Sequence, residues 1–291
     1  MENKYRLSSN AFNREDDNDK ISPKKIYYIS VEGNVTEKEY FNGISINRQK
    51  IGIDAIIDVH VLGRRRNDTR CMPSDVLELL EEYVELRDNE EDNFFENVPE
   101  EIIKKWGKEF IKEFLDENES GKAQNNEEFR TDLLKLGYDI SYRKYLRDHA
   151  NHNDEFGIVI DRDQYTHSEF NMLNCIDYCK KKNYSCYISN PCFEFWLLLH
   201  HVDVKNKYAN QMNLILENKK ISNKHTFVSN EISRIVHHAK GHILFEKNYL
   251  PFIDDAINRA KEFESDEIGL VDNVGSNIWK LIEKMRKSNK E

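Results

Sequence analysis

The wholly apolar run Phe156-Gly-Ile-Val-Ile160 ends in Asp161-Arg162-Asp163, and the β-branched, aromatic run Lys25–Val31 ends in Glu32-Gly33. A carboxylate at the end of an apolar strand is costly unless it is solvated, paired or bound to a cation. Asp161 and Asp163 are two apart, so in extended chain they point to the same side and their oxygens can share one hard cation. Glu32, one or two strands away, could supply a third face. Mg2+ suits such a set, because it takes oxygen ligands and keeps waters that a substrate phosphate can replace. A cation held there stabilises charge on a phosphate and lowers the pKa of an attacking water. A third run, ending near Ile188, leads into Ser189-Asn190-Pro191, and Glu194 follows in the first turn of the next helix. Each feature alone has a plainer reading. Asp-x-Asp can cap a turn or a helix, and Glu194 can answer the helix dipole. The paired histidines His200-His201 and His237-His238 read as packing or surface residues, since adjacent side chains diverge on a helix. What points to a metal centre is the joint occurrence at strand ends of one sheet.

The elements that must position these residues follow from periodicity and punctuation. Strands are expected at Lys25–Val31, 56–62, 156–160 and 184–188. Thr36 with Glu39 three residues on reads as a capping box opening a helix that carries Tyr40 and Phe41. Pro73 opens a second helix. Between residues 88 and 140 the chain is acidic and asparagine-rich, with a single helical pattern of Ile102, Ile103, Trp106, Phe110 and Phe114; residues 118–128 read as an exposed loop. After Asp163 a helix with Phe170, Leu173 and Ile176 inward is expected. The run Phe193–Leu199 is apolar almost all round and should be a buried helix with Pro191 near its start. Beyond His201 no strand is expected, and helices are expected at 208–217, 230–239, 254–263 and 276–287. Alternating strands and helices predict an α/β fold with a mainly parallel sheet flanked by helices, a helical insertion and a helical C-terminal region. In such sheets ligands sit at the carboxyl ends of the strands.

The expected organisation is a disordered, solvated tail at 1–22, an α/β domain at 23–201 with the helical insertion at 88–140, and a helical region at 202–291. The N-terminal stretch has no apolar core, so no secretory signal is expected. No run of about 18 apolar residues predicts a membrane span, and a cytoplasmic protein is expected. The five cysteines show no CxxC spacing, so reduced thiols rather than a zinc site are expected. With 43 Lys and Arg against 53 Asp and Glu, the net charge is −10. That argues against a protein that coats nucleic acid by phosphate contacts alone. Local basic patches remain: Arg64-Arg65-Arg66 with Arg70, Lys180-Lys181-Lys182, and Lys219-Lys220 with Lys224. The arginine triplet is equally readable as a solvated loop.

Three ordered motifs resemble the RloB-like family. Val31-Glu32-Gly33-Asn34-Val35-Thr36-Glu37-Lys38-Glu39-Tyr40-Phe41 is similar to its opening Glu-Gly-x-x-Thr-Glu with Tyr-Phe. Ile160-Asp161-Arg162-Asp163 resembles its acidic second motif, and Ser189 through His200 its most characteristic segment. The charged segment between Asp88 and Ile140 departs from the family pattern by its length. The resemblance implies a Toprim-like fold whose chemistry rests on a glutamate after the first strand and an Asp-x-Asp after a later one. Those carry over to Glu32, Asp161 and Asp163 as ligands of Mg2+ or Mn2+, with Glu32 as general base or outer ligand. Glu194 would position a second ion or the substrate, and Arg64, Arg65, Arg66 or Lys247 would meet substrate phosphate. The implied function is a metal-dependent nuclease acting on RNA, tRNA included, or DNA. It would be the effector of a bacterial abortive-infection or anti-phage system with an AAA or ABC-type ATPase as partner. Self-association is left open. Two rivals stand beside it: a non-catalytic Toprim-fold module that docks on the ATPase, and a receiver-like phosphoacceptor domain, which the Ser-Asn-Pro segment does not fit.

Overall fold

The structure is a computed structural model that describes residues 6–8, 24–63, 69–88, 98–116, 123–136, 138–148, 150–239 and 241–288. Along the chain run β1 (Lys25–Val31), α1 (Thr36–Ile46), β2 (Ile57–Val61), α2 (Pro73–Asp88), α3 (Glu100–Trp106), α4 (Lys108–Asp116), α5 (Ala123–Leu136), α6 (Ile140–Asp148), β3 (Glu155–Asp161), α7 (Glu169–Lys182) and β4 (Ser185–Asn190). They continue with α8 (Phe193–Leu199), α9 (Val204–Lys207), α10 (Met212–Glu217), α11 (Phe227–Ile235), α12 (Phe245–Asn248), α13 (Ile253–Ala260), β5 (Gly275–Ser276) and α14 (Ile278–Lys287). This is an α/β chain. It divides into two compact units: one holds the sheet, within 19–61, 70–77 and 153–291, and the other is helical, within 1–18, 62–69 and 78–152.

In the sheet unit the strand order is β2-β1-β3-β4-β5, parallel except for the β4–β5 pair. β1 is buried along nearly its whole length, as a strand covered on both faces must be, while edge strand β2 alternates buried and half-buried positions. β1 pairs with both β2 and β3, so chain order reverses there, and the crevice beyond the carboxyl ends of β1 and β3 lies at a topological switch point. Behind the sheet, Tyr40 of α1 is the hub of an aromatic nest with Phe41, Phe193, Trp196, Phe245 and Tyr249 at centroid distances of 5.2–6.3 Å. α8 is buried as expected. His200 belongs to this packing: Nε2 lies 3.1 Å from Tyr40 Oη, Nδ1 lies 3.1 Å from the Trp196 carbonyl, and burial pushes its pKa down to about 3. His237 and His238 are exposed.

Several expectations are corrected. Thr36 does not cap α1. The helix starts after Val35 with no side-chain cap, and Thr36 Oγ1 instead accepts the Gly241 N–H while Glu39 accepts the Ile243 N–H and pairs with His242. Phe170 is exposed, and the buried face of α7 is Met172, Cys175, Ile176 and Cys179. Pro191 lies ahead of α8, after a cis Asn190–Pro191 bond, and Cys192 is the N-cap. A strand does occur beyond His201: β5 is two residues long. The side chain of Asn277 extends it, accepting the Ile188 N–H at 2.6 Å and donating to the Cys186 carbonyl at 3.0 Å.

In the helical unit, the pattern from Ile102 to Phe114 is two helices. Gly107, at φ +79°, breaks it in a conformation that glycine alone adopts readily. Trp106, Phe110 and Phe114 close around Phe129 of α5 at 4.9–5.4 Å. Residues 123–128, expected in a loop, are the first turns of α5. Arg6, Leu7 and Ser8, expected in the solvated tail, are buried, and the rest of 1–22 lies outside the described residues. Among the described residues no helix is long and apolar enough to cross a membrane.

Candidate metal centre

Asp161 is the last residue of β3, and Glu32 follows β1, its neighbour in the sheet. The parallel register carries one more rung past the strand: Glu32 N–H donates to the Val159 carbonyl at 3.1 Å. The Glu32 carboxylate folds across and accepts the Asp161 N–H through Oε2 at 2.9 Å. Two further carboxylates approach from helix starts. Glu37 sits in the first turn of α1, and its carboxylate lies over Gly33, where a Cβ would stand 1.9 Å from Oε2. Glu194 sits in the first turn of α8. Burial raises the Asp161 pKa well above the ordinary aspartate value, and Glu32, Glu37 and Glu194 raise it further. The Phe193 N–H pulls the other way. The same neighbourhood raises the Cys192 thiol, first by burial, then through Glu194 and Asp161.

Asp163 has a different place. β3 ends at Asp161, and Asp163 lies beyond it, just ahead of the turn. One Asp163 carboxylate oxygen accepts the Tyr165 N–H at 3.1 Å, and its carbonyl accepts the Thr166 and His167 N–H groups at 3.0 and 2.8 Å. The carboxylates that act most strongly on Asp161 do not include it. Arg162 is buried and clamps the turn, donating from Nε to the Val271 carbonyl at 2.6 Å and from Nη1 to the His167 carbonyl at 2.7 Å. Asn190 is likewise structural, donating to the Leu270 carbonyl at 2.8 Å.

The turn delivers a residue that spacing did not single out. His167, 1% exposed, has Nδ1 2.9 Å from the Asp161 carbonyl and Nε2 3.7 Å from Glu32 Oε1. A carbonyl only accepts, so Nδ1 carries the proton, and Nε2 has no hydrogen-bond partner. Glu37 was visible in the opening motif, but only as motif. For His167 no local signal exists, because its approach to Glu32 depends on how the turn after Asp161 closes.

Of the other candidates, Lys247 is exposed on α12. Lys180, Lys181 and Lys182 are exposed at the end of α7, and Lys219 pairs with Glu217 at 2.8 Å. Arg64, Arg65 and Arg66 lie outside the described residues. The donor chemistry fits a hard divalent cation, since clustered carboxylates that hold a neighbour's pKa up gain most from a positive ion. The spacing is less complete: among the described residues no three His, Cys, Asp or Glu side chains already converge on one ion position. The four buried cysteines are free thiols, as is exposed Cys71.

Fold and site together define an α/β protein with an acidic centre at the carboxyl edge of a parallel sheet. The sequence model of the RloB-like protein family matches residues 27–285, and the chain belongs to that family. No curated protein and no solved structure matches it significantly.

Proposed function

We propose that the chain is a metal-dependent nuclease of the Toprim type, with its centre at Glu32, Asp161, Glu37 and Glu194, acting as effector of a bacterial anti-phage system beside an AAA or ABC-type ATPase. One observation carries the reading: the strongest influences on the Asp161 carboxyl are burial and three other carboxylates. Such crowding destabilises a fold unless a cation relieves it, and perturbed acids in a crevice are characteristic of reactive sites. Mg2+ or Mn2+ bound there would stabilise phosphate charge and lower the pKa of an attacking water. Asp161, held by the Phe193 N–H, presents the inner carboxylate. Glu32, positioned by the Asp161 N–H on Oε2, stands next to it with Oε1 turned to the ion. Glu194 comes from the opposite side, where it orients substrate or a second ion. Asp163 keeps the turn in shape rather than joining the first ring of ligands. Lys247 is the exposed cation offered to substrate phosphate.

The test is to offer tRNA, single-stranded DNA and duplex DNA to the purified chain, with and without its ATPase, in Mg2+ or Mn2+. Metal-dependent cleavage that is lost in Glu32→Gln and Asp161→Asn is the expected result. Variants that cut as well as the parent overturn the centre. A complex with the ATPase that cuts nothing under any condition favours the non-catalytic docking module instead.

A further inference from the structure

We propose that His167 is a direct nitrogen ligand of the centre, its Nε2 pairing with Glu32 Oε1 to hold a first-row transition cation such as Mn2+ in preference to Mg2+. This rests on the metal-dependent reading of the Glu32–Asp161 centre. With Nδ1 donating to the Asp161 carbonyl, a neutral ring leaves a lone pair on Nε2. That lone pair is buried, makes no hydrogen bond, and faces a carboxylate oxygen 3.7 Å away. Two Lewis bases facing each other out of water repel, and 3.7 Å is too long for a shared hydrogen bond. It is a workable separation across one ion: bonds of about 2.0–2.2 Å to nitrogen and oxygen allow donors up to about 4.3 Å apart.

The surroundings match those of a ligating imidazole. Such a ring nearly always donates its second N–H to a backbone carbonyl or carboxylate, which sets the tautomer and aims the free nitrogen. Here the acceptor is the carbonyl of Asp161 itself, so the central carboxylate and the imidazole are tied to one residue. Arg162 adds a brace by donating to the His167 carbonyl at 2.7 Å. The remaining positions around the ion go to the Asp161 carboxylate, water and substrate oxygens. A nitrogen donor moves selectivity away from Mg2+, which takes oxygen, toward the transition metals.

The experiment is to load the full chain with Mn2+ alone and record the electron spin-echo modulation of the bound ion. The expected spectrum contains 14N couplings from one imidazole. They vanish in His167→Asn, whose amide can still donate to the Asp161 carbonyl, and the ratio of Mn2+ to Mg2+ affinity falls at least about tenfold. Bound Mn2+ without nitrogen coupling, or coupling that survives in His167→Asn, overturns the role of His167 and leaves the carboxylate centre standing. Mn2+ that does not bind, or binds Glu32→Gln and Asp161→Asn as well as the parent, overturns the centre itself and this proposal with it. If His167→Asn fails to fold, the parent spectrum alone decides by the presence or absence of nitrogen coupling.

Discussion

Glu82 in the helical unit and Asp161 in the sheet unit are both carboxylates drawn out of water, and their surroundings treat them in opposite ways. Glu82 accepts the Arg6 and Leu7 N–H groups at 2.9 and 3.3 Å through one oxygen and Arg143 Nη1 at 2.8 Å through the other. Burial raises its pKa, and Arg143, these N–H groups and Arg6 all oppose the rise. At Asp161 burial is reinforced by Glu32, Glu37 and Glu194 and opposed by the Phe193 N–H. A carboxylate kept for structure comes with its countercharges. On the proposed metal-dependent reading, the like charges around Asp161 are what a bound cation would relieve.

Three substitutions probe that contrast. The largest expected effect is at Glu82→Ala, which takes the carboxylate away from Arg143, 4% exposed. Breaking a buried pair costs about 3–5 kcal/mol, so chemical denaturation should show a loss of that order, indifferent to divalent cations. An unchanged midpoint would mean that the pair carries no structural weight. Next comes Asp161→Asn. If the proposed nuclease reading holds, cleavage should drop by about 10²-fold or more, in the range seen when a stabiliser of transition-state charge is removed, while the metal-free protein melts higher at neutral pH. The direction of the second effect follows from linkage. A carboxyl whose folded pKa lies above its unfolded one contributes stability that is present below the unfolded pKa and lost as pH rises through the folded one. The metal-free parent should therefore gain stability as pH falls through the raised Asp161 pKa toward the ordinary aspartate value, and Asp161→Asn should flatten that part of the profile. Melting curves across pH that coincide for parent and variant would show that Asp161 is not strained. The smallest effect is at Thr36→Val, which removes the acceptor of the Gly241 N–H. It should cost about 1 kcal/mol, as a single hydrogen bond does. Its metal dependence should match the parent's, and a lost metal response would place the Thr36 clasp in the centre itself.

The same contrast explains what could be read in the sequence. Strands β1 and β3 were legible because burial on both faces demands apolar runs, β2 because its exposed edge demands alternation, and Glu32 and Asp161 stand out as the charges that end β1 and β3. β5 was not legible. Two residues carry no periodicity, and its pairing is completed by the side chain of Asn277. The break at Gly107 was hidden inside an apolar pattern that looked continuous. Thr36 and Glu39 carried the spacing of a capping box, but tertiary partners at Gly241, His242 and Ile243 took both side chains. Asp163 carried the spacing of a ligand and serves as a turn. Glu37 and His167 reach the centre only through the entry of α1 and the closure of the turn after Asp161, which no short motif encodes. The counter-example at Glu82 was equally invisible, since its partners Arg6 and Arg143 lie 76 and 61 residues away.

On the proposed reading, the carboxylates around Asp161 take up a divalent cation. The most direct measurement is the melting temperature of the parent and Asp161→Asn at neutral pH as Mg2+ or Mn2+ is titrated in. A ligand that binds only the folded state raises the melting temperature by mass action. The account predicts a saturable rise in the parent and little or none in the variant, whose metal-free melting temperature starts higher. Equal rises in both proteins, or none in the parent, would contradict it.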